Sequence, residues 1–194
     1  MGRLFFTSDE HYGHANIIKF CNRPFMSVYD MNEVLIANHN AVVGEADFTW
    51  HLGDMFWHTV TVHDANAIFD RLNGKHGIVW GNHDEVARQI AGRFDYVGDT
   101  KLVKSTRVPV WLSHYAHRSW PNSHKGSYHL FGHTHAVLPD FRYSHDAGVD
   151  TNDYQPFSFE ELDTYMLETL LPRTAPEVRI DMVKKGVLNE RQAC

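Results

Sequence analysis

Five short apolar segments, each running directly into residues that bind metals or move protons, constrain this chain more than anything else in it. Leu4-Phe5-Phe6-Thr7 leads into Asp9-Glu10-His11, and Phe48-Thr49-Trp50-His51-Leu52 leads into Gly53-Asp54. Gly77-Ile78-Val79-Trp80 leads into Gly81-Asn82-His83-Asp84. Val108 to Ser113 ends in His114, and Tyr128-His129-Leu130-Phe131 ends in Gly132-His133-Thr134-His135. Short apolar runs bounded by turn residues read as buried strands. In an α/β fold the carboxyl ends of neighbouring strands share one edge, where ligands bind. Five such clusters predict a single site assembled from distant segments.

The intervening sequence reads as helix. Ala15 to Phe20 is a short one, closed off by Pro24. The next is capped by Asp30 with Glu33, a capping-box spacing, and shows an apolar face of Met31, Val34, Leu35 and Val42. Asp64 to Leu72 is helical by Ala65, Ile68, Phe69 and Leu72, and Asn73-Gly74 stops it. Glu85 to about Gly92 follows the third strand. Ser158 with Glu161 caps a helix carrying Phe159, Leu162, Met166 and Leu170. Lys101 to Ser105 and Arg142 to Val149 read as extended. The expectation is one α/β domain over residues 1–171, with a weakly patterned peripheral tail over 172–194.

Histidine is the unusual count, 15 against 18 Lys plus Arg. The net charge of −6 argues against an extended nucleic-acid surface, which wants a basic face. Two cysteines, Cys21 and Cys194, cannot form a disulfide framework, so a reducing, cytoplasmic setting is expected. No window approaches a membrane span. Oligomeric state has no signature in the sequence.

The strand-end donors are two carboxylates, one carboxamide and several imidazoles. Mixed nitrogen and oxygen donors suit Mn, Fe, Co, Ni or Zn, whereas Mg and Ca prefer oxygen alone. Asp9, His11, Asp54, Asn82, His114, His133 and His135 are too many for one ion, since a zinc site closes with four ligands. They divide naturally between two divalent ions. Asp54, the carboxylate without a histidine in its own segment, is the natural bridge.

These motifs, in this order, resemble the calcineurin-like metallophosphoesterase superfamily from Leu4 to His135, and on to about Leu171. The resemblance implies two mixed β-sheets packed as a sandwich, flanked by helices, with a dinuclear site at one end. It implies that Asp9, His11 and His135 hold one metal, that Asn82, His114 and His133 hold the other, and that Asp54 bridges. Manganese is the first choice of metal. His83 would face the substrate phosphate with Asp84 behind it. The implied reaction is hydrolysis of a small phosphodiester, nucleotide-type or similar, by metal-activated hydroxide.

Around this centre, His14, His58, Arg23, Arg118 and Trp120 are candidates for substrate contact. Trp57, Tyr115 and Trp120 read as core or lid packing, with base-stacking platforms as the alternative because they lie in loops after metal strands. His39, His63, His76 and His145 read as surface or turn residues, and His51 as a satisfied interior one. A metallo-β-lactamase-like scaffold is excluded, because Ala136-Val137 follows His133-Thr134-His135 where that fold wants Asp-His. A phosphomonoesterase, a short-oligonucleotide nuclease and a non-enzymatic metal-binding module remain as alternatives.

Overall fold

The computed structural model describes residues 2–170; the predicted tail over 172–194 lies outside the described residues. Strand β1 (Leu4–Thr7) is followed by α1 (Ile17–Phe20), α2 (Val28–Val42), β2 (Phe48–His51), α3 (Val62–Phe69), β3 (Lys75–Val79) and α4 (Glu85–Gln89). Then come β4 (Tyr96–Gly98), β5 (Thr100–Val103), β6 (Val110–Ser113), β7 (Tyr128–Phe131), β8 (Ser144–Asp146), β9 (Phe157–Ser158) and α5 (Phe159–Tyr165). One turn of π-helix, Met166–Leu170, ends the described chain.

Two sheets form. The first has the order β4-β3-β2-β1-β9, with β1 to β4 parallel and β9 antiparallel at the edge. The second has the order β5-β6-β7-β8, parallel except between β5 and β6. Alternation along each strand decides what lies between them. Phe6, Trp50, Leu52 and Val79 point inward from the first sheet, against Val103, Val110, Leu112 and Leu130 of the second. Ile78 points the other way, into a second core built with Met31, Leu35 and Ile36 of α2, Ala65 and Phe69 of α3, and Val86 and Ala87 of α4. This is the expected sandwich of two mixed sheets flanked by helices. No helix among the described residues is long and apolar enough to cross a membrane.

Local chemistry moves some boundaries. α2 starts at Val28, not beside Asp30, because the Ser27 hydroxyl accepts the Asp30 amide at 3.1 Å and so caps the helix first. Thr61 caps α3 in the same way by accepting the Asp64 amide. The Ser158–Glu161 capping box forms as expected. Strand β4 has no counterpart in the sequence reading; three residues with a glycine carry no periodic signal.

Candidate metal centre

The strand ends converge as the pattern predicts. β1 delivers Asp9 and His11, and β2 delivers Asp54. β3 delivers Asn82 and His83, β6 His114, and β7 His133 and His135. Donor atoms of Asp9, His11 and His135 lie within 4.8 Å of one another, and so do those of Asp54, His114 and His133. Five of the seven candidate ligands hold a left-handed backbone: φ is 58° at Asp9, 53° at His11, 56° at Asp54, 68° at His133 and 46° at His135. Non-glycine residues rarely adopt that region, and it costs about 1–3 kcal/mol each. Concentration of such strain at one cluster is characteristic of a working site. Gly81 and Gly132 let the loops close: an added Cβ would collide with Asp54 at the first and with Ser8 and Asp9 at the second.

Hydrogen bonds settle which atoms face the centre. One oxygen of each carboxylate is anchored, Asp9 Oδ2 by the His133 amide and Asp54 Oδ1 by the His83 amide, each at 2.8 Å. The other oxygens are turned inward. Asp54 Oδ2 sits between His11 Nε2 at 3.7 Å and His114 Nε2 at 3.5 Å. Asp9 Oδ1 faces His11 Nε2 and His135 Nε2, each at 3.9 Å. Asp9 Oδ1 and His11 Nε2 are both buried without a hydrogen-bond partner, an arrangement that costs free energy unless something else satisfies it.

The histidine tautomers strengthen the point. His114 Nδ1 lies 2.8 Å from the Leu52 carbonyl, so Nδ1 carries a hydrogen and the lone pair of the neutral ring falls on Nε2. That lone pair faces Asn82 Oδ1 at 3.0 Å, acceptor against acceptor. His135 Nδ1 likewise donates to Asp150 Oδ2 at 2.8 Å, which turns Nε2 toward the centre. His11 Nδ1 meets His14 Nδ1 at 3.3 Å. Converging lone pairs repel unless a cation lies among them, so the donor set fits divalent metal ions. Burial, with help from the neighbouring histidines and Arg23, pulls His11 down to about 2, which keeps it neutral. Burial pushes Asp9 well above the usual carboxylate range. A bound cation would favour the deprotonated form of both.

Several sequence expectations need correction. Asp84 is not behind the His83 imidazole. Its buried carboxylate accepts three backbone amides, Gly81 at 2.6 Å and Asp54 and Met55 at 3.0 Å. Asp84 therefore ties the β2 loop to the β3 loop. Arg23 is not available to a phosphate: its buried guanidinium forks onto Asp150, with both contacts at 2.8 Å, and donates to the Asp9 and Glu10 carbonyls. Trp120 is core, donating to the Ser127 carbonyl. Arg118 lines a separate cavity with Leu138 and Phe141. His58 is exposed beside Trp57 and does not line the metal cleft. His39 and His76 are interior, not surface, residues. His14 and His83 do line the cleft.

Asp150 is the functional residue that sequence reasoning missed. It orients His135, and a carboxylate behind a ligating histidine fixes the ring and raises its basicity. Burial lowers the His135 pKa, but Asp150 and Asp9 outweigh it and hold His135 above its ordinary value. The signal was present, because Asp150 follows β8 just as the other acids follow their strands. Cys21 also approaches His135 and Asp150, but the Asp150 oxygens are already committed to Arg23 and His135. Tyr115, half exposed, donates to Asn82 Oδ1 at 3.2 Å and so helps set which carboxamide atom faces the centre.

No protein-family model matches the chain. Over 167 residues it is 30% identical to the uncharacterized protein MJ1445 of Methanocaldococcus jannaschii, covering 82% of this chain and 89% of that protein. It is 26% identical over 174 residues to the Gene 66 protein of Mycobacterium phage L5, covering 75% and 83% of the two. The crystal structure of AQ665, a protein of unknown function from Aquifex aeolicus, superposes with a TM-score of 0.69 at 26% identity, covering 84% of this chain and 99% of that one. Weaker likenesses are to the Pseudomonas putida nuclease MPE, with a TM-score of 0.45, 19% identity and coverage of 69% and 62%, and to the E. coli phosphoesterase Yfce, with 0.42, 18% and coverage of 75% and 78%.

Proposed function

The chain belongs to the family of the MJ1445 protein of Methanocaldococcus jannaschii, and taking the strand-end cluster as the working part of that fold, we propose that it is a metal-dependent hydrolase of a small phosphodiester. The observation that carries this reading is the convergence of bare lone pairs on two adjoining points that share Asp54 Oδ2. Asp9, His11 and His135 would hold one divalent ion, and Asn82, His114 and His133 the other. Manganese is the first choice, with iron, nickel, cobalt or zinc as alternatives; such ions supply Lewis acidity toward the phosphoryl group and ease the ionisation of water.

The remaining roles fall to the chain. His83 lines the cleft and its amide is fixed on Asp54, so its imidazole is the group placed to give a proton to the departing alcohol. A hydroxide, formed from water by loss of a proton to solvent, bonds through its oxygen to phosphorus, the ester P–O bond breaks, and the departing alkoxide takes the His83 proton, which the solvent then restores. Charge supports a diester. Two divalent ions against Asp9 and Asp54 leave a surplus that a hydroxide and one diester anion neutralise, whereas a monoester dianion exceeds it. No Lys or Arg is among the described residues lining the cleft to offset that excess. A reducing, cytoplasmic setting, with a small phosphoester rather than an extended nucleic acid as partner, belongs to the same proposal.

The test is a turnover panel of diesters and monoesters on chelated protein resupplied with Mn, Ni, Zn or Mg. Diester turnover restored by transition metals is expected. Metal binding without turnover of any member would replace the hydrolase with a metal-binding interaction module.

A further inference from the structure

The cleft, of about 450 Å³, is lined not only by donors but also by Ile17, Phe20, Trp57 and Val137. Phe20 and Val137 stand 75% and 84% exposed at its mouth, an unusual state for apolar side chains beside a polar centre. Rings lead outward from the centre to this wall. His11 and His14 centroids lie 5.2 Å apart, and His14 and Phe20 lie 6.2 Å apart, edge to face. Trp57 holds His14 in a parallel stack at 3.6 Å and 2°.

We propose that this wall is a subsite for the retained arm of the diester, and that it takes an uncharged aromatic group. The proposal rests on the hydrolase reading for the position of the phosphate. Three observations select the occupant. The lining residues of the wall carry no charged side chain apart from titratable histidine, so a charged arm would lose its hydration without gaining a partner. Phe20 presents an exposed ring, and the edge of the His14–Trp57 stack lies beside it, which favours a flat ring. The volume suits a compact aryl diester, not a long acyl chain. The departing alcohol belongs beside His83, whose ring lies 4.8 Å from the inner part of the wall at Trp57. The outer part, Phe20 and Val137, is then left to the arm that stays.

The experiment uses the full chain with Mn²⁺ and two esters sharing one leaving group, methyl 4-nitrophenyl phosphate and phenyl 4-nitrophenyl phosphate. Beside them, calorimetry compares the binding of dimethylphosphinate and methylphenylphosphinate, which have no ester bond to break. Wild type should favour the phenyl member of both pairs. Phe20→Ala, at an exposed position, should lower kcat/KM for the phenyl ester by about three- to tenfold and leave the methyl ester unchanged. Equal treatment of methyl and phenyl members, or a phenyl preference that survives Phe20→Ala, overturns the subsite while leaving the hydrolase reading intact. Absence of turnover with a Phe20-dependent phenyl preference in binding overturns the hydrolase reading and leaves the subsite standing.

Discussion

Two histidine clusters lie on either side of one short stretch of chain, and they behave in opposite ways. Asp9 and His11 turn toward the cleft, yet Glu10 between them turns into the core behind the first sheet. There Glu10 Oε1 meets His51 Nδ1 at 2.6 Å, and His51 Nε2 meets His76 Nδ1 at 3.0 Å. His39 packs nearby, with Nε2 on the Asn73 carbonyl at 2.9 Å. All four side chains are buried. In the core most of the ring nitrogens are spent, on one another, on Glu10 and on a carbonyl. The two fully buried atoms without a hydrogen-bond partner, Glu10 Oε2 and His76 Nε2, lie at opposite ends of the Glu10–His51–His76 chain of contacts. In the cleft the outer nitrogens are spent on Leu52, Asp150 and His14, and the inner ones point at carboxylate oxygens. What marks the site is therefore not histidine content but where the unspent lone pairs meet.

The largest expected effect sharpens the cleft side. His83 lines the cleft without being a proposed ligand, so His83→Ala should retain both metals by elemental analysis. It should lower turnover of diesters with alkoxide leaving groups by about 10²–10⁴-fold, the usual worth of a positioned acid. Nitrophenyl esters, whose leaving group needs little protonation, should lose far less. Equal losses on both substrate types would instead make His83 a stabiliser of charge on the phosphoryl oxygens.

Next comes the core side. His51→Ala leaves the Glu10 carboxyl buried without its hydrogen-bond partner, and an unsatisfied buried polar group costs about 1–3 kcal/mol. Denaturant unfolding should show that loss, while the folded variant keeps its full metal content. Lost metal with unaltered stability would mean the two clusters are one functional unit, and the contrast between them would fail.

How much of this was legible in the sequence follows from the same contrast. Apolar runs and the donors that follow them are local signals, so β1, β2, β3, β6, β7 and the seven candidate ligands could be read directly. What a side chain is bonded to across the fold is not local. Arg23 and Arg118 look alike in sequence, yet one is locked onto Asp150 and the other lines a different cavity. Asp84 adjoins His83 in the chain but serves the backbone of the β2 loop. His39 and His76 read as surface residues because their solvent exclusion comes from α2 and α3 packing on the sheet. Strand β4 exists because β3 offers it a parallel edge, which nothing within Tyr96–Gly98 announces.

A smaller effect tests the outer shell of the cleft. Asp150→Asn keeps the size of the side chain but removes the negative charge behind His135. Outer partners of metal ligands are typically worth about 10–100-fold in affinity. Calorimetric titration should show one ion weakened by that factor and the other, held through Asn82, His114 and His133, unchanged. Two equally weakened ions would mean that Asp150 supports the loops generally and not His135 in particular.

The smallest effect is a slope in pH, and it probes the core histidines where they differ most from those of the cleft. Burial, opposed by the hydrogen bond to the Asn73 carbonyl, holds His39 down to about 4, and burial does the same for His129 in the second sheet. Between about 4 and the ordinary value of about 6.5 the unfolded chain takes up a proton at these positions and the folded chain refuses it. The unfolded state then binds more protons, so stability rises with pH through that window and is complete above it. One such group contributes at most about 1.4 kcal/mol per pH unit. His39 faces His51, His76 and Glu10, and His39→Gln leaves those three in place. A glutamine amide can still donate to the Asn73 carbonyl but does not titrate. Denaturant unfolding of chelated protein at pH 6.5 and 5.5 should therefore show wild type losing about 1 kcal/mol more than His39→Gln. The cleft histidines titrate in both proteins and cancel in the comparison. Identical losses would mean that His39 accepts its proton in the folded state, and that the core cluster is less closed to charge than its hydrogen bonds indicate.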